Sequence, residues 1–140
     1  MHNAALLLLA AFVSMPALAK APFSGPDFSG TYECKGDDSK EGAYTGTVSL
    51  HLVKQQSFAR YGAYDFQLDV PGSGRYVGQA AANDQVMGVH FALTDQTTKD
   101  YGTGVARFSK NSSGKWQFTK FYYEPEFKGG SFGTETCVQK

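Results

Sequence analysis

The 140-residue chain carries 13 Lys and Arg against 13 Asp and Glu, so its formal net charge is zero, and 41% of it is hydrophobic. A neutral balance argues against a nucleic-acid binder or a polybasic membrane-surface protein. Isoleucine is absent and only Leu50, Leu52, Leu68 and Leu93 remain after residue 19, so any folded core must rely on valine and aromatic rings.

The chain opens with an apolar run from Ala4 to Val13, followed by Ala17-Leu18-Ala19. An apolar run closed by a small-x-small site reads as a secretory signal peptide over residues 1–19, and it is too short to span a bilayer. Cleavage near Ala19 leaves about 120 residues, enough for one domain. The expected organisation is a flexible segment over 20–27 and a single domain over 28–140. The expected location is the bacterial periplasm or the cell exterior.

Within the domain, period-2 alternation recurs and helical periodicity is nearly absent. Val48, Leu50 and Leu52 alternate with polar neighbours, as do Tyr64, Phe66, Leu68 and Val70; Met87, Val89, Phe91 and Leu93 alternate with Gly88, His90 and Ala92. Turn signals separate these runs at Gly36-Asp37-Asp38, Pro71-Gly72-Ser73-Gly74, Asn83-Asp84 and Asn111-Ser112-Ser113-Gly114. The pattern predicts about eight strands, at roughly 28–35, 43–55, 62–70, 74–83, 85–93, 100–110, 114–124 and 130–139. No connection has room for a crossover helix, so neighbours should be antiparallel, in a sandwich or a closed up-and-down barrel.

Cys34 lies in the first predicted strand and Cys137 in the last. In an exported protein such a pair is a disulfide candidate, and the bond would bring the first and last strands side by side. A meander whose ends meet is a barrel. The small-residue faces Gly78-Ala80-Ala82 and Gly102-Gly104-Ala106 suit tight coiling and leave room for rings from opposite strands. One strand breaks phase: Trp116 and Phe118 share a parity that Phe121 and Tyr123 do not. Either a bulge near Thr119-Lys120 restores the phase, or the strand end projects past the barrel and bares rings on both faces.

Few residues suggest catalysis. His51 and His90 fall on the polar faces of their strands and read as surface histidines, and no ligand spacing suggests a metal. Gly129-Gly130-Ser131-Phe132-Gly133 matches a nucleophile elbow in letters alone, since no helix or histidine follows. Gly102-Thr103-Gly104 fails as a phosphate loop for the same want of a helix. Asp37, Asp38 and Glu41 read as a solvated turn, and Asn111-Ser112-Ser113 fits a glycosylation sequon. Parity places Glu135 on the face of Cys137, the face on which Tyr32 would meet Cys34. A buried Glu135 would need a partner such as Arg75, Lys115 or a tyrosine hydroxyl; a frayed rim would leave it wet. The segment Lys120-Phe121-Tyr122-Tyr123-Glu124-Pro125-Glu126-Phe127-Lys128-Gly129-Gly130 mixes rings and charges of both signs as contact surfaces do, although rim packing would explain it equally.

Phe28-Ser29-Gly30-Thr31-Tyr32 at the head of an eight-stranded chain resembles the opening of lipocalin and avidin barrels, with tyrosine where those families place tryptophan. A single tryptophan in the whole chain means that an avidin-style biotin pocket does not carry over. Tyr32-Glu33-Cys34 with Cys137 is similar to the frame of bacterial periplasmic inhibitors of c-type lysozyme. Ser73-Gly74-Arg75-Tyr76 resembles their Ser-Gly-x-x-Tyr loop, one residue short, and the resemblance maps their inhibitory serine onto Ser73. The expectation is an all-β, single antiparallel eight-stranded up-and-down barrel that acts as a binding protein without enzymatic activity or cofactor, and a monomer. It would hold a protein partner through Ser73, Arg75, Tyr76, Phe121, Tyr122, Tyr123, Glu124 and Phe127. The alternatives are a small apolar ligand carrier of lipocalin type and an inhibitor of a lysozyme-like hydrolase.

Overall fold

A computed structural model describes residues 19–140. The expected leader, apart from Ala19, lies outside the described residues. Eight strands run in up-and-down order and close into one antiparallel barrel. They are β1 (Gly30–Asp38), β2 (Gly42–Leu52), β3 (Tyr61–Val70), β4 (Gly74–Asn83), β5 (Val86–Leu93), β6 (Tyr101–Lys110), β7 (Trp116–Glu124) and β8 (Ser131–Gln139). Three single 3-10 turns, at Lys54–Gln56, Gln96–Thr98 and Phe127–Gly129, sit in the connections.

Closure occurs where β1 meets β8, and Cys34 stands directly opposite Cys137 in that ladder. The two sulfurs are bonded, with Cα atoms 4.1 Å apart, and both residues are buried. The β2–β3 ladder, from Thr47–Asp69 to Leu52–Tyr64, is the shortest around the cylinder. Beyond it, an open groove of about 1130 Å³ separates β2 from the β3–β4 turn, lined by Glu33, Lys35, Thr45, Asp69, Ser73 and Arg75 among others.

The phase break in β7 has a simpler resolution than a bulge. Burial alternates without interruption from Phe118 to Glu124, and the ladders to β6 and β8 are continuous. Lys120, Tyr122 and Glu124 face inward with Phe118, while Phe121 and Tyr123 face solvent. The expected bulge, and the projecting strand end offered as its alternative, are both replaced by an ordinary strand that carries charges inside and rings outside.

The barrel interior divides into two halves. One end is packed with rings: Phe28 stacks on Phe108 at 4.0 Å between centroids and meets Trp116 edge-on at 4.8 Å, and Phe118 lies 4.8 Å from Phe108. The segment before β1 closes this end. Phe28 is fully buried, Pro26 O accepts from the Tyr64 hydroxyl, Phe28 O accepts from the Tyr32 hydroxyl, and Ser24 N donates to Ala59 O. Burial of Tyr32 pushes its phenol up, so it stays a donor.

Small residues make the tight coil possible. A Cβ at Gly78 would overlap the carbonyl oxygen of His90 on β5, whereas one at Gly88 meets nothing within 4 Å. Gly78→Ala is therefore expected to cost about 1–3 kcal/mol through forced strand displacement. Gly88→Ala should leave the urea midpoint close to that of the parent, and equal midpoints for the two variants would refute this account.

Candidate functional site

The opposite end is built from the β1–β2, β3–β4, β5–β6 and β7–β8 connections, and here the interior is polar. A pocket of about 60 Å³ opens among Asp38, Glu41, Tyr44, Ser73, Tyr76, Phe91, Asp100, Lys120, Tyr122, Glu124 and Phe127, with Leu68 and Val70 completing the wall. Strand alternation supplies most of this set, because every second residue of β7 points inward.

Lys120 and Glu135 stand opposite one another in the β7–β8 ladder, and Lys120 Nζ lies 2.6 Å from Glu135 Oε2. Both side chains are essentially inaccessible. The ammonium also sits 5.1 Å from the ring centre of Phe66, 5.5 Å from Phe91 and 5.6 Å from Tyr122, distances at which aromatic faces attract a cation. Glu135 Oε1 lies 3.4 Å from Cys137 Sγ. The three residues Cys34, Cys137 and Glu135 cluster closely, but both sulfurs are held in the disulfide and are not free to ligate.

Asp38 ends β1 inside the barrel, not in a solvated turn. Its carboxylate accepts from Ser131 Oγ at 2.8 Å, from the Tyr122 hydroxyl at 2.9 Å and from the backbone N–H groups of Lys40 and Glu41. Burial alone would raise its pKa, yet these donors outweigh that effect and hold it below the ordinary value. Gly133 makes room for the arrangement, since a Cβ there would strike the Tyr122 hydroxyl. The Tyr122 phenol is itself pushed upward by burial and by its hydrogen bonding to Tyr44 and Asp38.

Asp100 precedes β6 and is buried. Its Oδ2 accepts from the Tyr76 hydroxyl at 2.8 Å. Its other oxygen, Oδ1, and Glu124 Oε2 receive no donor from any other described residue. The two carboxyls interact with each other: burial first, then the hydrogen bond to Asp100 and the Asp100 charge, raise Glu124 from 4.5 to about 8. At neutral pH Glu124 therefore keeps a proton, in position to hydrogen-bond Asp100.

This proton has a consequence for stability. The folded state holds it from about pH 4.5 to about 8 while the unfolded chain has lost it, so stability attributable to Glu124 is full below 4.5 and declines as pH rises to about 8. The slope is at most about 1.4 kcal/mol per pH unit. Denaturant titrations across that window should show the decline, and Glu124→Gln should flatten it. An identical slope in the variant would refute the proton held on Glu124.

The sequence-derived candidates separate into three places. Ser73, Tyr76, Tyr122, Glu124 and Phe127 line the mouth pocket together. Phe121 and Tyr123 lie on the outer wall beside Val105 of β6 and Phe132 of β8, all between 48% and 56% exposed. Arg75 is exposed and pairs with Asp69 at 2.7 Å. Tyr32 and Glu135 are fully interior, and the partner of Glu135 is Lys120, not Arg75, Lys115 or a tyrosine. Sequence reasoning read Asp38 as a solvated turn residue and Ser131 as part of a glycine-rich turn, placed Lys120 in the aromatic contact segment, and passed over Asp100; for an inward Lys120 the signal was available, since it shares parity with Phe118. His51 and His90 are exposed.

No protein-family model, curated protein or solved structure matches the chain. The eight-stranded barrel is compatible with a calycin-like fold on geometry alone. Among the described residues no helix is long and apolar enough to cross a membrane.

Proposed function

We propose that this chain is an exported, non-enzymatic binding protein that holds a macromolecular partner against its mouth-side β6–β8 face. The observation that carries this reading is the side-by-side exposure of Val105, Phe121, Tyr123 and Phe132 on one wall. Phe121 and Val105 face each other across one ladder, and Tyr123 and Phe132 across the next. Large rings left in water next to one another are a feature of interaction surfaces. The Cys34–Cys137 disulfide fits an oxidising compartment. An apolar carrier has less support, because the mouth pocket of about 60 Å³ is far below the roughly 300 Å³ at which ligand pockets begin.

Photo-crosslinking tests this reading. A benzophenone residue at Tyr123 or Phe132, in cells that export the protein, should give one discrete adduct, and the same residue at His51 should give none. Absence of any adduct at both aromatic positions would overturn it. A second reading, inhibition of a lysozyme-like hydrolase, draws on the groove beside the β3–β4 turn and on Ser73 at its rim. Unchanged cell-wall lysis by a c-type lysozyme in the presence of micromolar protein would dismiss it.

A further inference from the structure

We propose that the mouth pocket is a binding site for a compact cationic head group, an alkylammonium or guanidinium, held on Asp100 Oδ1 and Glu124 Oε2. Both residues are more than nine-tenths buried, both line the pocket, and these two buried oxygens meet no donor among the described residues other than the proton that Glu124 itself carries. The neighbouring charges are already satisfied. Asp38 takes its four donors, and Lys120 is committed to Glu135. The pocket thus holds more negative than positive charge, and a buried carboxylate pair favours a positively charged N–H donor.

The walls select the kind of cation. Tyr44, Tyr76, Phe91, Tyr122 and Phe127 line the pocket alongside the carboxyls. Three rings in the barrel already surround one ammonium, that of Lys120. Aromatic walls suit an organic cation, whereas calcium asks for six to eight oxygen ligands. The volume of about 60 Å³ is close to the share of about two water molecules, at about 30 Å³ each. A head group of that size enters, with its stem leaving between Glu41, Ser73 and Phe127 at the rim; a quaternary ammonium such as choline is too bulky.

Entry of the cation is coupled to loss of a proton. With Glu124 protonated, one proton leaves its carboxyl for solvent as the cation arrives, and no covalent bond is made. The groups facing this pair are Asp38 from β1, Glu41 from the β1–β2 turn, Tyr44 from β2, Tyr76 from β4, Lys120 and Tyr122 from β7, and beyond them Glu135 from β8. β3 and β5 contribute only apolar side chains, Leu68, Val70 and Phe91. Asp38 is held ionised, and burial keeps the phenols of Tyr44, Tyr76 and Tyr122 protonated. Affinity should therefore rise about tenfold per pH unit up to about pH 7.5 and level off above about pH 9, as expected for displacement of a proton held at about 8.

Calorimetric titration of the disulfide-intact protein with methylammonium and with methylguanidinium tests the site. Saturable millimolar binding is expected, with the pH profile above and release of close to one proton per cation at neutral pH, read from buffers of different ionisation heat. Glu124→Gln should weaken binding at least tenfold and abolish the pH slope, and Asp100→Asn should also weaken it at least tenfold; circular dichroism and the melting temperature check that both variants fold. A blocked Gly-Arg-Gly peptide identifies the source of the head group. Binding tenfold tighter than methylguanidinium marks the tip of a partner's side chain, and equal or weaker binding marks a free amine. Absence of saturable heat with both cations at about pH 9, unchanged affinity in both variants, or binding of calcium alone would overturn the assignment. Crosslinking at Tyr123 probes a different surface, so the two results stand or fall separately.

Discussion

Lys120→Met is expected to lower stability by about 3–5 kcal/mol, because it strands the Glu135 carboxylate in the barrel without the ammonium that pairs with it. Methionine keeps the unbranched stem of lysine and lacks its terminal ammonium, so most of the packing volume is retained while the charge and its contacts with the rings of Phe66 and Phe91 are lost. For a domain whose total stability falls in the usual range of about 5–15 kcal/mol, this is a large fraction. Glu135→Leu alone should be costly for the mirror-image reason. The double variant Lys120→Met with Glu135→Leu should recover much of the loss, since removing a buried pair together leaves no charge uncompensated. Guanidinium unfolding of the four proteins forms a double-mutant cycle. Additive single effects would show that the two groups do not act as a pair.

Loss of the covalent link should have an effect of similar size. Cys34 and Cys137 are 103 residues apart, and releasing a loop of that length increases the entropy of the unfolded chain by the equivalent of about 4–5 kcal/mol. The variant Cys34→Ala with Cys137→Ala should unfold at a correspondingly lower denaturant concentration. Both sulfurs are buried, at 2% and 0% exposure. Reductant alone should therefore leave the native bond intact, and labelling of the thiols should track the fraction unfolded. Rapid reduction in the absence of denaturant would contradict this picture.

Much of the fold was legible in the sequence, and the reasons are local. Tyr64, Phe66 and Leu68 alternate with Asp65 and Gln67, and that alternation survives unchanged as the inner and outer faces of β3. Turn residues marked most strand ends to within a few positions, and the cysteines correctly selected a closed barrel over a sandwich. The interior polarity was far less legible. Single-strand patterns treat charge as a mark of the solvent face, so the parity of Phe121 and Tyr123 suggested a bulge or a projecting strand end where an ordinary strand turns Lys120 and Glu124 inward. Their inward placement depends on partners from other strands: Glu135 for Lys120, and Asp100 for Glu124. Asp38 likewise owes its burial to Tyr122 and Ser131, more than eighty residues downstream. Such pairings exist only once the cylinder has closed.

The sulfur clasp joins one seam of the cylinder, while the seam between β2 and β3 has the fewest rungs and borders an open cleft. Breathing motions are therefore expected to begin on that flank, with the clasped side as the spine about which the wall parts.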